Sequence, residues 1–301
     1  MQFPKAPITF AQQVDLLEER GLVINDKESA AFYLSHINYY RLGTYWWSFI
    51  EDYQNHTFKL STTFEQVLNL YSFDRELRLL LLDAIERIEV SLRTQWAYHL
   101  AKKHGSHAHL DPTAFSSKFN HNDFVSNICA EIQRTSDTNI KKQNYKYNEE
   151  TPAIWIIAEV MSFGWLSRSY DAIGRRALKN DIADSYKVKE TILSSFLHHI
   201  TTVRNICAHH SRLYNRDFTF TMKLPTNGDS VLLNSFSDTT KQLYNTLVMC
   251  AYFMDLISPN HHWKQKLASL IEVYNIDVTE MGFPENWKAL PIWNSIKSIK
   301  S

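Results

Sequence analysis

The fourteen residues VRNICAHHSRLYNR, from Val203 to Arg216, hold three arginines, two adjacent histidines and one cysteine. Arginine presents a planar fork of N–H donors that fits the non-bridging oxygens of a phosphate. Histidine, with an ordinary pKa of about 6.5, takes or gives a proton close to neutral pH. Between Arg204 and Lys223 four basic residues stand against one acid, Asp217, although 32 Lys and Arg balance 32 Asp and Glu over the whole chain. A local surplus of positive charge in a neutral chain points to an anion as its ligand.

Taken as one helix that stops near Asn215, the stretch sorts its residues by face at about 100° per residue. His198, Asn205, His209, Arg212 and Arg216 make one polar stripe, with Arg204 at its edge. Val203, Ile206, Cys207, Leu213 and Tyr214 gather on the apolar side. His210 falls inside that apolar arc and is expected to be buried or half-buried, a structural histidine, while Cys207 is expected to be a small core residue. Zinc is the rival ligand, and it wants three or four donors converging on one point. His209 and His210 diverge by about 100°, Cys207 points away from His209, and three arginines repel a cation. No metal and no cofactor is therefore expected, unless distant ligands fold in.

For phosphodiester cleavage the arginines would stabilise the charge that builds on phosphorus-bound oxygens, and His209 would move a proton. If the substrate is RNA, its own 2′-hydroxyl is the nucleophile and no metal-generated hydroxide is needed. The products would be a 2′,3′-cyclic phosphate and a free 5′-hydroxyl. Asn205 would orient the ring or hold a phosphate oxygen. A plainer reading stands beside this one. An Arg- and His-rich helix also serves to bond acidic groups such as Glu86 and Glu89 and so knit two helices together.

The elements that would position these residues are helical almost throughout. Helices are expected from Thr9 to Arg20, after an Asp26 cap, from about Thr63 to Lys103, at 122–135, 154–170 and 177–186, from Lys189 into the motif, at 237–256 and at 262–274. The long one is capped by Thr62 or Thr63 and either bends or is two helices in series. It places Glu86, Glu89 and Arg93 on one face. The segment after Asp217 reads as loop or as a short strand pair about Asn227-Gly228. The aromatic run at Tyr39, Tyr40, Tyr45, Trp46 and Trp47 reads as packing, with base stacking as the other use. Three scattered cysteines without a CxxC pair suit a reducing, cytoplasmic setting. The apolar runs are too short for a membrane span and no signal peptide is evident. The expected fold is all-α.

Arg204-Asn205-Ile206-Cys207-Ala208-His209 fits the RxxxxH motif, with a polar residue after the arginine, of the HEPN superfamily of all-α nucleases and nucleotide-binding domains. More closely, the chain resembles the Abi family of bacterial abortive-infection proteins linked to phage defence. The segments that carry the resemblance are ERGLVINDKESAAFYLSHINYYRLGTYW, YSFDRELRLLLLDAIERIEVSLR, TPAIWIIAEVMSFGWLSRSY, RNICAHHSRLYNR and MGFPENWKALPIW. It implies an N-terminal helical region at 1–60, a HEPN-type helical bundle core at 61–220 and a helical extension at 221–301. It implies a metal-independent endoribonuclease with Arg204 and His209 as the catalytic pair and Asn205 accompanying them. Arg212, Arg216 and His198 would support it or bind RNA, and Glu86, Glu89 and Arg93 would stand opposite and orient the motif. Because one chain holds one such motif, the resemblance implies a homodimer with a composite site. A regulatory RNA or an antitoxin protein is a further expected partner. The superfamily also holds members that bind RNA or proteins without cutting, and that alternative stays open.

Overall fold

The computed structural model describes residues 6–138, 140 and 151–299. The polar stretch at 136–152, expected as a loop, lies largely outside them. The chain divides into two compact units, one of residues 1–78 with 268–277 and one of residues 79–267 with 278–301.

In the first unit Thr9 and Gln12 close a reciprocal capping box at the start of α1, Phe10–Glu19. The Oδ1 of Asp26 accepts the Ser29 N–H at 2.9 Å and starts α2, Lys27–His36. These caps satisfy N–H groups that the first turn of a helix leaves without partners. α3, Tyr39–Trp46, follows, and then the strands β1, Ile50–Asp52, and β2, Thr57–Phe58, pair antiparallel. This hairpin corrects the all-α expectation: the chain is predominantly helical with two short strands. Strands of three and two residues are too short to show an alternating pattern.

A buried polar triad fastens this unit. The Tyr45 hydroxyl donates to Asp74 Oδ2 at 2.7 Å, Arg78 donates to the Tyr45 oxygen at 3.0 Å, and Arg78 also pairs with Asp74. Asp74 is fully buried and Arg78 nearly so. Burial, reinforced by the Asp74 charge, pushes the Tyr45 phenol well above its ordinary range and keeps it a donor.

The long helix α4 runs unbroken from Phe64 to His104, 41 residues, with Thr63 and Gln66 in a second capping box. It is one helix rather than two in series. In the second unit α5, His121–Arg134, is followed by α6, Ile154–Val160, and α7, Phe163–Asp171. The single helix expected at 154–170 is therefore two. Ser162 has extended backbone and accepts the Trp165 N–H, so it caps α7 and ends the run before it. α8 is Arg176–Asp184 and α9, the motif helix, is Glu190–Ala208. The segment from Asp217 to Asp229 is loop, without a strand among its residues, and leads to the single turn α10, Ser230–Leu233. α11, Tyr244–Ile257, is buried at every position from Tyr244 to Met254, as suits a helix apolar all round at the centre of its unit. α12, Trp263–Tyr274, and a series of 3₁₀ turns complete the chain, with Phe283, Trp287 and Trp293 buried. No helix is long and apolar enough to cross a membrane among the described residues.

Replacing Asp74 with Ala takes from the buried Arg78 its Asp74 counter-charge, and the expected loss is about 3–5 kcal/mol. The double change Asp74→Leu/Arg78→Met is expected to cost less than the single one. Urea titrations of the three proteins decide this, and a single variant as stable as the double contradicts it.

Candidate functional site

α9 serves as a wall of the core and as a display surface. Leu193, Phe196, Leu197, Ile200, Val203 and Cys207 are all buried. The helix packs against α7 and α8, and Phe196 meets Phe253 of α11 with ring centroids 4.7 Å apart. Its other face carries Thr191, His198, Thr202 and Asn205, all exposed. Adjacent histidines on one helix are thereby given opposite surroundings. His199 is buried, its Nδ1 donating to the Phe220 carbonyl at 3.0 Å and its Nε2 accepting from Thr246 Oγ1 at 2.8 Å. His198 is exposed, and its ring stacks on Phe220 at 4.2 Å.

The helix stops at Ala208, not near Asn215. His209 is its C-cap, donating its N–H to the Asn205 carbonyl at 2.9 Å. His210 then takes a left-handed backbone, φ 57°, while its N–H reaches the Cys207 carbonyl and that of Ser211 reaches Ile206. These two bonds close a Schellman motif. Histidine, with asparagine and aspartate, enters this region more readily than most side chains. No glycine or proline marks the stop, so sequence periodicity ran past it.

Two expectations change with this ending. His210 is exposed, not buried in the apolar arc, because the arc assumed a helical turn that does not exist there. Arg212 and Arg216 do not continue the stripe of α9. They lie half-buried in the following loop, where Arg216 donates to the Arg212 carbonyl at 3.0 Å and Arg212 to that of Asn215 at 3.4 Å.

Arg204, Asn205 and His209 are exposed together at the end of α9. The Arg204 guanidinium lies 3.5 Å from Asn205 Oδ1 and forms no ion pair with a carboxylate among the described residues. Five residues apart, Arg204 and His209 stand about 140° apart around the axis. They flank one helix end without converging on one point. Cys207 is buried, as its place on the apolar side of the helix predicts.

The acidic and basic residues of α4 do other work. Arg93 pairs with Glu89 at 2.5 Å and donates to the carbonyls of Glu159 and Met161, each at 2.9 Å, so it ties α4 to the end of α6. Glu86 is exposed and lines a separate cleft with Asp83, Arg87 and Tyr186. Among the described residues neither glutamate forms a hydrogen bond or ion pair with the motif. What sequence reasoning did not foresee is the wide groove of about 940 Å³ that borders α9, lined by His198, Thr201 and Thr202 and by residues of distant segments such as Lys118 and Lys223. Among the described residues no group of three or more His, Cys, Asp or Glu side chains could hold a metal ion.

A helical chain that displays Arg, Asn and His at the end of a core helix is the class this geometry defines. The chain belongs to the family of Abi-like proteins, whose model matches residues 32–215. The match begins within α2 and ends at Asn215, just past the motif, and leaves the segment MGFPENWKALPIW outside it. No curated protein and no solved structure matches the chain.

Two expectations follow from these histidines. At position 210 a glycine accepts the left-handed backbone freely and a β-branched residue does not, so His210→Val is expected to be less stable than His210→Gly by about 1–2 kcal/mol. Thermal melts of the pair measure the difference, and equal stability contradicts the Schellman ending. Burial holds His199 below its ordinary pKa and His109 down at about 4, in the latter case helped by the charges of His107 and His121. Both are neutral when folded and protonate more easily when unfolded. Their contribution is complete above about pH 6.5 and is lost as pH falls through the folded values. Urea midpoints should decline between pH 7 and pH 5, above the range where ordinary carboxylates titrate, and a flat midpoint there contradicts the buried neutral rings.

Proposed function

We propose that this Abi-like protein is a HEPN-type, metal-independent endoribonuclease of a phage-defence or toxin system. The observation that carries the reading is the exposed trio Arg204, Asn205 and His209 at the end of α9, with the arginine unpaired by any carboxylate among the described residues. A guanidinium engaged by an acid would have little donor capacity left for a phosphate; this one keeps it.

In the proposed reaction the RNA 2′-oxygen bonds to phosphorus and the bond from phosphorus to the 5′-oxygen breaks. The 2′-hydroxyl proton passes to a base, and a proton is delivered to the departing 5′-oxygen. His209 performs one of these transfers. Arg204 binds the non-bridging oxygens, whose charge grows in the transition state. Asn205 holds Arg204 or a phosphate oxygen in place. Since the two key side chains diverge around one helix, a second copy of the chain facing the first would bring the arginine of one to the histidine of the other. This supports a homodimer with a composite site. An inhibiting RNA or antitoxin protein would suit such an enzyme.

The test is cleavage of several RNA types in EDTA, comparing wild type with Arg204→Ala, His209→Ala and the double variant, together with analysis of the product ends. Wild type is expected to cut and to leave cyclic phosphate. Loss of His209 should slow cutting by about 10²–10⁴-fold, the usual range for a positioned acid or base, and loss of Arg204 by about 10²–10³-fold. Unimpaired cutting by folded His209→Ala removes it from the reaction. Absence of cutting by a confirmed dimer favours the non-catalytic RNA- or protein-binding reading.

A further inference from the structure

The groove beside α9 gathers four cations, Lys118, Arg168, Lys179 and Lys223, around one carboxylate, Asp171. That carboxylate is occupied, because Lys179 lies 3.4 Å from its Oδ1 and Ser194 donates to the same oxygen. The surplus charge therefore belongs to the other three. Lys118 and Lys223 are exposed and form no ion pair among the described residues. The Arg168 guanidinium carbon lies over the Trp165 ring, 3.6 Å from its centroid, and its Nε donates to the Gly164 carbonyl at 3.4 Å, two contacts that hold it at the groove. Phe220, 38 % exposed, stacks on His198 in the same groove.

We propose that this groove is a binding site for single-stranded RNA, with Lys118, Arg168 and Lys223 holding phosphates and the Phe220–His198 pair stacking a base. The site rests on the ribonuclease reading above and deepens it, since it places the strand that flanks the bond to be cut. The groove reaches Thr201 and Thr202, three to four residues before Asn205, or about 4–6 Å along the helix axis. A strand lying in it arrives at the motif. Cationic side chains interleaved with an exposed ring suit an unpaired strand, because a base already stacked in a duplex offers no free face. The Ser195 hydroxyl, whose oxygen accepts the Lys223 N–H at 2.9 Å, adds a donor to the lining without selecting a sequence, whereas those of Thr201 and Thr202 are given to the Leu197 and His198 carbonyls.

The experiment measures anisotropy of a fluorescein-labelled, unstructured 12-nucleotide RNA in EDTA, with His209→Ala as the parent so that the probe stays whole. Adding Lys118→Ala/Lys223→Ala is expected to weaken binding at least tenfold. It should also lower the slope of log affinity against log salt by about 1.4, the loss of two phosphate contacts on a single strand. Phe220→Leu, which keeps apolar cover over the neighbouring core, should weaken binding about tenfold. Cutting by wild type is read in parallel. Affinity and slope unchanged within twofold in the lysine variant overturn the groove, even if wild type cuts RNA. Groove-dependent binding without cutting upholds the groove and removes the ribonuclease reading. Equal binding of duplex RNA with Phe220 dispensable overturns the single-strand assignment, and no binding by the parent at low salt overturns the proposal outright.

Discussion

The second unit depends on a single demand made of α9, that it line the core on one side and meet solvent on the other. Its apolar side fits against a helix with no exposed face of its own between Tyr244 and Met254, so α9 has no freedom to rotate. A turn of even half a residue's angle would carry His198 toward the core and His199 out of its two hydrogen bonds. Those bonds, to Phe220 and to Thr246, reach from the helix to the following loop and to α11. One buried imidazole thus ties three segments and fixes which side chains of α9 are displayed.

The end of the helix matters as much as its face. Had it continued to Asn215, Arg212 and Arg216 would have shared the stripe with His209. The left-handed residue at His210 turns the chain instead and sends both arginines into a loop that they brace through backbone carbonyls. The positive charge of the motif is divided by this turn. Arg204 is left displayed, and the two others are drawn into local structure.

Some of the charge elsewhere in the chain is consumed by architecture. Glu89 and Arg93 share a face of α4, but their partners are each other and the carbonyls at the end of α6. In the first unit the Asp74–Arg78–Tyr45 triad spends two full charges on holding buried groups together. What sets Lys118, Arg168 and Lys223 apart is that separate segments bring them into one groove beside α9.

The predominance of helix was legible in the sequence, since a period of 3.6 residues and Thr or Asp caps are local signals. Thr9, Asp26 and Thr63 each start a helix where their side chains indicated. The motif was equally legible as residues, and so was the separation of faces along α9 up to Ala208. The stop at His210 was not, because its cause is a backbone torsion that histidine tolerates and no glycine advertised. Nor was the hairpin at 50–58, whose two short strands carry too few residues for an alternating pattern. The groove lay furthest from view. Lys118, Arg168 and Lys223 come from three separate segments, and only the packing of α7 and the 218–223 loop against α9 brings them to one wall. Local sequence determined the helices and the chemistry they carry, whereas tertiary packing decided which of those charges remain free to act, because pairing and burial are settled between residues distant in the chain.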